Sequence, residues 1–222
     1  MLSVGGRATI NRGNDSADWL TEGATDVDLH FEYFAGPPEE MHGLCEGDRQ
    51  CALCGQVGLC FELDRALVFE MADEDKEGKV GCAECLRAGR FIFGHGTDLG
   101  WLHDEGITRL YASQYPIPDD FPESALEALR RTPQIDTLQG ERWLTHCSDF
   151  MVYIGTWDTE HFRAHAPDGD PGALYVAMTE YYPRIWDDQR SFDTISWEHW
   201  GPRYYAFRCR HCGALRGNWD CD

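Results

Sequence analysis

The sequence predicts an α+β protein in which a small cysteine-clasped unit packs with a mixed core of helices and strands. Three observations carry this reading. Short runs of β-branched and aromatic residues are separated by turn residues. The stretch at 119–133 reads as a helix, with Pro122 near its first turn and Pro133 ending it. The motif Cys-x-x-Cys occurs three times, at Cys51/Cys54, Cys82/Cys85 and Cys209/Cys212. The chain has 222 residues, 42% of them hydrophobic and 13% aromatic, enough for one domain with a real core.

Taken in order, residues 1–28 are poor in bulky apolar side chains, which predicts a flexible arm before a single domain at 29–222. "LHFEYFAGPPEE" at 29–40 alternates and then breaks at Pro37-Pro38, the pattern of an extended entry strand. Residues 48–90 form a compact unit. "VGLCFEL" and "ALVFEM" are short strands joined at Asp64-Arg65, the acidic loop "ADEDKEGK" follows, and "CLRAGR" after Cys85 reads as a short helix. A knuckle, two strands and a second knuckle entering a helix make a zinc-ribbon-like layout. "TLQGERWLTHC" at 137–147 approximates helical spacing through Leu138, Trp143, Leu144 and Cys147, and predicts another helix. "DFMVYIGTW" reads as a buried strand, "ALYVAMTEYYPRIW" as either helix or strand, and "RYYAFRCRHCGALRGNWD" as strand, knuckle, strand. Trp143, Leu144 and Tyr153 are expected in the core.

The cysteines are the chemistry-bearing residues. A Cys-x-x-Cys turn places two thiolates about one zinc edge apart. Gly55 and Gly213 follow the second cysteines of two of the knuckles, where the turn wants a residue without Cβ crowding. Cys51, Cys54, Cys82 and Cys85 therefore predict one zinc site. A thioredoxin-like redox motif needs one such pair after a strand, and not three. Cys209 and Cys212 need partners: Cys147 and His146 are candidates for a second site, with His211, Cys45, Cys60 and Cys221 as alternatives. Four thiolates close a zinc shell, and no His-Glu-x-x-His, Gly-x-Ser-x-Gly or phosphate-binding loop occurs in the chain. "GHGTDLGW" at 94–101 lacks the lysine of such a loop, and His95, His103, His161, His165 and His199 are scattered. The expectation is a metal that holds the fold, and no enzyme.

Charge sets the partner class. There are 39 acidic and 19 basic residues, a formal net of −20. Such a globule repels nucleic acid and anionic membranes and attracts basic partners. No apolar run approaches the ~18 residues of a membrane-crossing helix. The first residues lack a charged-then-apolar leader, so the cytoplasm is the expected location, with its ten cysteines reduced. A local counter-signal exists: Arg203, Arg208, Arg210 and Arg216 mix with Tyr204, Tyr205, Phe207 and Trp219 around the last knuckle, a pattern used for stacking on single strands.

"CALCG", "GCAECLRAGR", "RRTPQIDTLQGERWLTHCSDFMVYIG" and "YYAFRCRHCGALRGNWD", in that order, resemble the CbrC-like family of colicin-tolerance proteins. The most specific pieces are "RTP…QGERWLTHC.D" at 131–149 and "FRCRHCG" at 207–213, and the likeness spans about 29–222. The resemblance places a second cysteine after the His-Cys-x-Asp segment, where this chain has Phe150-Met151. That departure argues against a second zinc on the segment. The resemblance implies protection against a DNase-type colicin, with no agreed enzymatic activity. Such toxins are basic where they grip DNA, so the expected partner is a basic nuclease-type protein toxin. Glu70, Asp73, Glu74 and Asp75 are the expected acidic contacts, with an aromatic anchor from 175–205. The alternative is a zinc-knuckle nucleic-acid-binding or stress protein.

Overall fold

The computed structural model describes residues 29–109, 118, 121–179, 192 and 202–220. The expected arm, most of 180–201, and Cys221 lie outside them. Among the described residues no helix is long and apolar enough to cross a membrane.

The entry segment does not run as a strand. Phe31 and Phe34 bridge across a tight turn. The chain then meets a later strand, with Ala35 N–H donating to Tyr153 O (2.8 Å) and Tyr153 N–H to Tyr33 O (2.8 Å). Tyr33 and Phe34 are neighbours and both buried, which an alternating strand with one wet face does not allow.

In the 48–90 unit, β1 (Arg49–Gln50) and β2 (Val57–Gly58) are the antiparallel arms of the first knuckle. β3 (Cys60–Glu62) and β4 (Leu67–Val68) flank the Asp64-Arg65 turn but do not pair with each other. β3 pairs with β5 (Val80–Cys82), which leads into α1 (Ala83–Arg87), and β4 pairs with β6 (Phe91–Ile92). The acidic loop carries the chain back to β3, where Leu63 N–H donates to Lys79 O (3.0 Å). The result is a set of two-stranded ladders around buried Phe61, Leu63, Leu86 and Phe91, rather than the continuous sheet of a ribbon. A meander follows, β7 (His95–Gly96), β8 (Trp101–His103) and β9 (Gly106–Thr108). The helix expected at 119–133 is α2 (Glu123–Arg130), with Pro122 at the cap position.

Next come the hairpin β10 (Thr145–His146) and β11 (Asp149–Phe150), the strand β12 (Val152–Trp157), α3 (Thr159–His165) and α4 (Pro171–Met178). The ambiguous 173–186 stretch thus begins as helix, with the Asp170 carboxylate accepting from Ala173 N–H (2.9 Å). β13 (Arg203–Arg208) and β14 (Leu215–Asp220) form the expected strand, knuckle, strand. The sheet β12-β13-β14 is buried on both faces. Tyr205 and Phe207 face the main core, while Tyr204 and Ala206 face a second cluster with Phe162 and Tyr175. Tyr153 and Trp157, four apart on β12, should share a face. A bulge between Tyr153 and Gly155 breaks the alternation. Tyr153 therefore pairs with Phe207 in one core, and Trp157 with Tyr204 in the other.

The helix expected at 137–147 is absent. Gly140 has φ 119°, Trp143 N–H donates to Gly96 O (2.8 Å) and Asp98 N–H to Trp143 O (2.9 Å). Adjacent Trp143 and Leu144 are both buried, so the apolar spacing arises from an extended strip between two packed surfaces. Asp220 anchors it: one carboxylate oxygen accepts from Leu138 and Gln139 N–H (3.0 Å each), the other from the Tyr205 hydroxyl (2.9 Å). Asp220→Ala leaves these donors without their acceptor and is expected to cost about 1.5–3 kcal/mol in urea unfolding. A cost below roughly 0.5 kcal/mol, the range of an ordinary surface change, would show that the carboxylate does not hold this strip.

Candidate metal centres

The first and third knuckles are built alike. Gly55 N–H donates to Cys51 O (2.9 Å) and Cys51 N–H to Gln56 O (2.8 Å); Gly213 N–H donates to Cys209 O (2.9 Å) and Cys209 N–H to Ala214 O (2.8 Å). Gly55 and Gly213 sit at φ 75° and 76°, the left-handed region that a Cβ disfavours. The middle pair is different: Cys82 caps α1 and Cys85 lies within it.

The fold brings Cys51, Cys54, Cys82 and Cys85 together, with their sulfurs within 4.8 Å of one another. All are free thiols. Cys51 and Cys85 sulfurs are 3.7 Å apart, and Cys54 and Cys82 sulfurs 3.6 Å. A zinc–sulfur tetrahedron has edges of about 3.8 Å, so the group fits that ion. Burial raises the Cys51 thiol, but N–H groups of Cys82, Cys54 and Leu53 outweigh it and hold it at about 6. Burial, then the adjoining thiols, push Cys85 far up. One sulfur is a ready anion while its neighbour resists ionising beside it. A divalent cation removes that conflict. Arg90 closes the outside, giving Nη1 to Cys85 Sγ (3.7 Å) and a two-pronged contact to Glu70 (3.0 and 2.7 Å).

The second group is His146, Cys147, Cys209 and Cys212, again within 4.8 Å. His146 Nδ1 lies 3.2 Å from Cys147 Sγ and 3.4 Å from Cys212 Sγ, and the two sulfurs are 3.9 Å apart. The absent cysteine after the His-Cys-x-Asp segment therefore does not leave the set short, because His146 completes it. Cys147 and Ser148 form the turn of the β10–β11 hairpin, with φ 53° and 54°. Two successive positive φ values mark a type I′ turn, for which Asn-Gly is the usual choice. Holding non-glycine residues there costs of order 1–3 kcal/mol each, and the turn delivers Cys147 to the knuckle. Burial raises Cys209, but N–H groups of Cys212 and His211 outweigh it and hold it at about 6; Cys212 pushes Cys147 up to about 11.

Sequence reasoning missed the supports of this hairpin. Buried Asp98, from "GHGTDLGW", accepts from Thr145 N–H (3.0 Å) and its hydroxyl (3.0 and 3.1 Å), next to His146. On the other side Asp149 binds the Tyr33 hydroxyl (2.6 Å), His211 Nε2 (2.7 Å) and Arg210 Nε (3.0 Å). His211 is thus turned from the metal group. Cys45 and Cys60 lie near the first group instead, and burial with the charges of Cys51 and Cys82 pushes Cys60 up to about 12. Of the scattered histidines, His95 is fully buried 2.8 Å from Glu141, His103 bonds Thr108, His161 caps α3, and His165 stacks on Trp157; His199 lies outside the described residues.

A family model described as an uncharacterised protein family, UPF0167, matches residues 29–221. The chain belongs to that family. The match spans both cysteine groups. No solved structure matches the chain.

Proposed function

We propose that this protein is a zinc-stapled binding protein that receives a basic protein on its acidic surface. The nuclease-type toxin to which CbrC-like proteins confer tolerance is the occupant the sequence resemblance suggests. The observation that carries this reading is the shape of the two metal groups. Each offers four ligands from side chains of the chain itself, the number that closes a zinc tetrahedron and leaves no position for substrate. Zinc there would clasp β5 and α1 to the first knuckle, and the β10–β11 turn to the third. Its contribution is cross-linking.

With the metals spent on structure, surface charge remains as the means of recognition, at a net −20. Asp73, Glu74 and Asp75 lie on an exposed turn of 3-10 helix. Asp73 is exposed and pairs with the buried Lys76 (2.8 Å). Glu70 is exposed as well and also holds Arg90 beside Cys85, so three of the four acids are free of that second duty. The 175–205 anchor is narrower than the sequence suggests, since Tyr175, Tyr204 and Tyr205 are core residues. Part of the stacking surface on which the nucleic-acid alternative leaned is used by the core. Tyr204, Tyr205 and Phe207 are buried, Arg203 pairs with Asp136, and Arg210 with Glu32 and Asp149.

Association with a basic nuclease domain, followed by stopped flow, is expected to slow steeply as salt rises through the range where the Debye length falls from about 30 to 8 Å. Asn or Gln at Asp73, Glu74 and Asp75 should slow it further at low salt. A rate indifferent to both salt and substitution, or binding to DNA in preference to the nuclease, overturns the reading.

A further inference from the structure

The two metal groups differ in access. In the first, Cys51, Cys82 and Cys85 are buried and Cys54 alone reaches the surface. In the second, Cys147 and Cys212 are both exposed, with sulfurs 3.9 Å apart, while Cys209 is buried. Cys147 also lines a cleft of about 340 Å³, together with Tyr33, Ser148, Asp149, Arg210 and His211. The walls are fixed by the Asp149 contacts, and Arg210 stacks over the Tyr33 ring at 5.4 Å. A cleft of that size admits a small hydroperoxide. Arginine has five N–H groups, so Arg210 keeps donors beyond those spent on Asp149 and Glu32.

We propose that Cys147 and Cys212 form an oxidation site for hydroperoxides, Cys147 reacting first and Cys212 resolving it. Cys147 Sγ attacks one peroxide oxygen from its exposed place on the cleft wall and gives up its thiol proton as it does so. The O–O bond breaks, the departing oxygen leaves as hydroxide or alkoxide and takes a proton, and Cys147 becomes a sulfenic acid. Cys212 then attacks that sulfur, and the S–O bond breaks as the S–S bond forms, releasing water. In sum two thiols and one peroxide yield one disulfide and two water molecules, or one water and one alcohol. The two electrons pass from sulfur to the peroxide oxygens.

Sequence distance makes the product consequential. Cys147 and Cys212 are 65 positions apart, on the turns of two different hairpins. Their cross-link removes two of the four ligands of the second group and leaves His146 and Cys209. The first group keeps all four, since a peroxide meets only one of its sulfurs. The oxidation chemistry stands on the thiols alone; only the loss of metal rests on the zinc reading above.

The test is stoichiometric hydrogen peroxide on the full-length protein, read by intact mass, peptide mapping after alkylation and a colorimetric metal chelator. The expected first product is lighter by two hydrogens, maps to Cys147–Cys212, reverts with dithiothreitol and releases one metal equivalent. Cys212→Ser should leave a sulfenic acid on Cys147 that a 1,3-dione traps, and Cys147→Ser should give no cross-link to Cys212. A first disulfide at Cys209–Cys212, one within the first group, or over-oxidation with no cross-link overturns the proposal. The Cys147–Cys212 cross-link in protein carrying a single metal equivalent supports the oxidation site and overturns the second zinc. Two bound equivalents with no cross-link do the reverse.

Discussion

Replacing Cys51 and Cys54 together by Ser is expected to remove one metal equivalent and to unfold the 48–90 unit. The reason lies in how little else holds it. β1 and β2 are two residues each, and β3 and β5 three each. Ladders that short do not stand alone in water. The first knuckle is joined to β5 by Ala52 N–H to Val80 O (2.9 Å), and Cys82 N–H points at Cys51 Sγ (3.3 Å). Those contacts presuppose the cysteine cluster. Structural zinc in small units supplies on the order of 10 kcal/mol of apparent folding free energy at neutral pH. Losing it removes an amount comparable to the whole stability of a domain, about 5–15 kcal/mol. Plasma-emission metal analysis and thermal unfolding read the two effects. An unchanged metal content would remove the first centre from the assignment, and lost metal with unchanged unfolding would remove its structural role.

Trp143→Ala is expected to cost about 3–5 kcal/mol, the range for a fully buried large aromatic. Trp143 is 0% exposed and meets Phe207 and His95 edge-on at 5.7 and 5.9 Å. Its indole N–H donates to Glu141 (3.0 Å), which also accepts from Ile135 N–H (3.0 Å) and faces His95. The substitution leaves a cavity where the meander, the 137–144 strip and β13 converge, and it strips a donor from a buried carboxylate. Chemical denaturation of the variant is the measurement. A variant of unchanged stability that fails to bind its partner would place Trp143 at a site and not in the core.

The cysteine spacings alone were enough to name the first metal group. Each pair is local: a four-residue turn with Gly55 after it sets Cys51 and Cys54, and the first turn of α1 sets Cys82 and Cys85. The strands at 152–157 and 203–208 were legible as dense apolar runs, and the one at 215–220 by its place after a Gly-bearing knuckle, although Asp149–Phe150 splits off from the expected 149–157 strand to pair with β10. The second group needed the fold. His146 became a ligand candidate of equal standing with the cysteines only because a hairpin with two positive-φ residues brings its Nδ1 to two sulfurs. Nothing local to His146 records that Cys212 is its neighbour.

The failures have the same cause. The 137–147 strip carries an apolar spacing compatible with a helix, yet its backbone N–H groups are claimed by Asp220, beyond the last knuckle. Tyr153 and Trp157 have the spacing of one face, and a bulge set by pairing with β13 sends them to opposite cores. By itself the sequence determined composition, net charge, the knuckle turns and the identity of the thiols that can meet a metal. Tertiary structure alone decided which distant partners satisfy each backbone donor and carboxylate, because a hydrogen bond or ion pair depends on distance in space and the chain order carries no record of it.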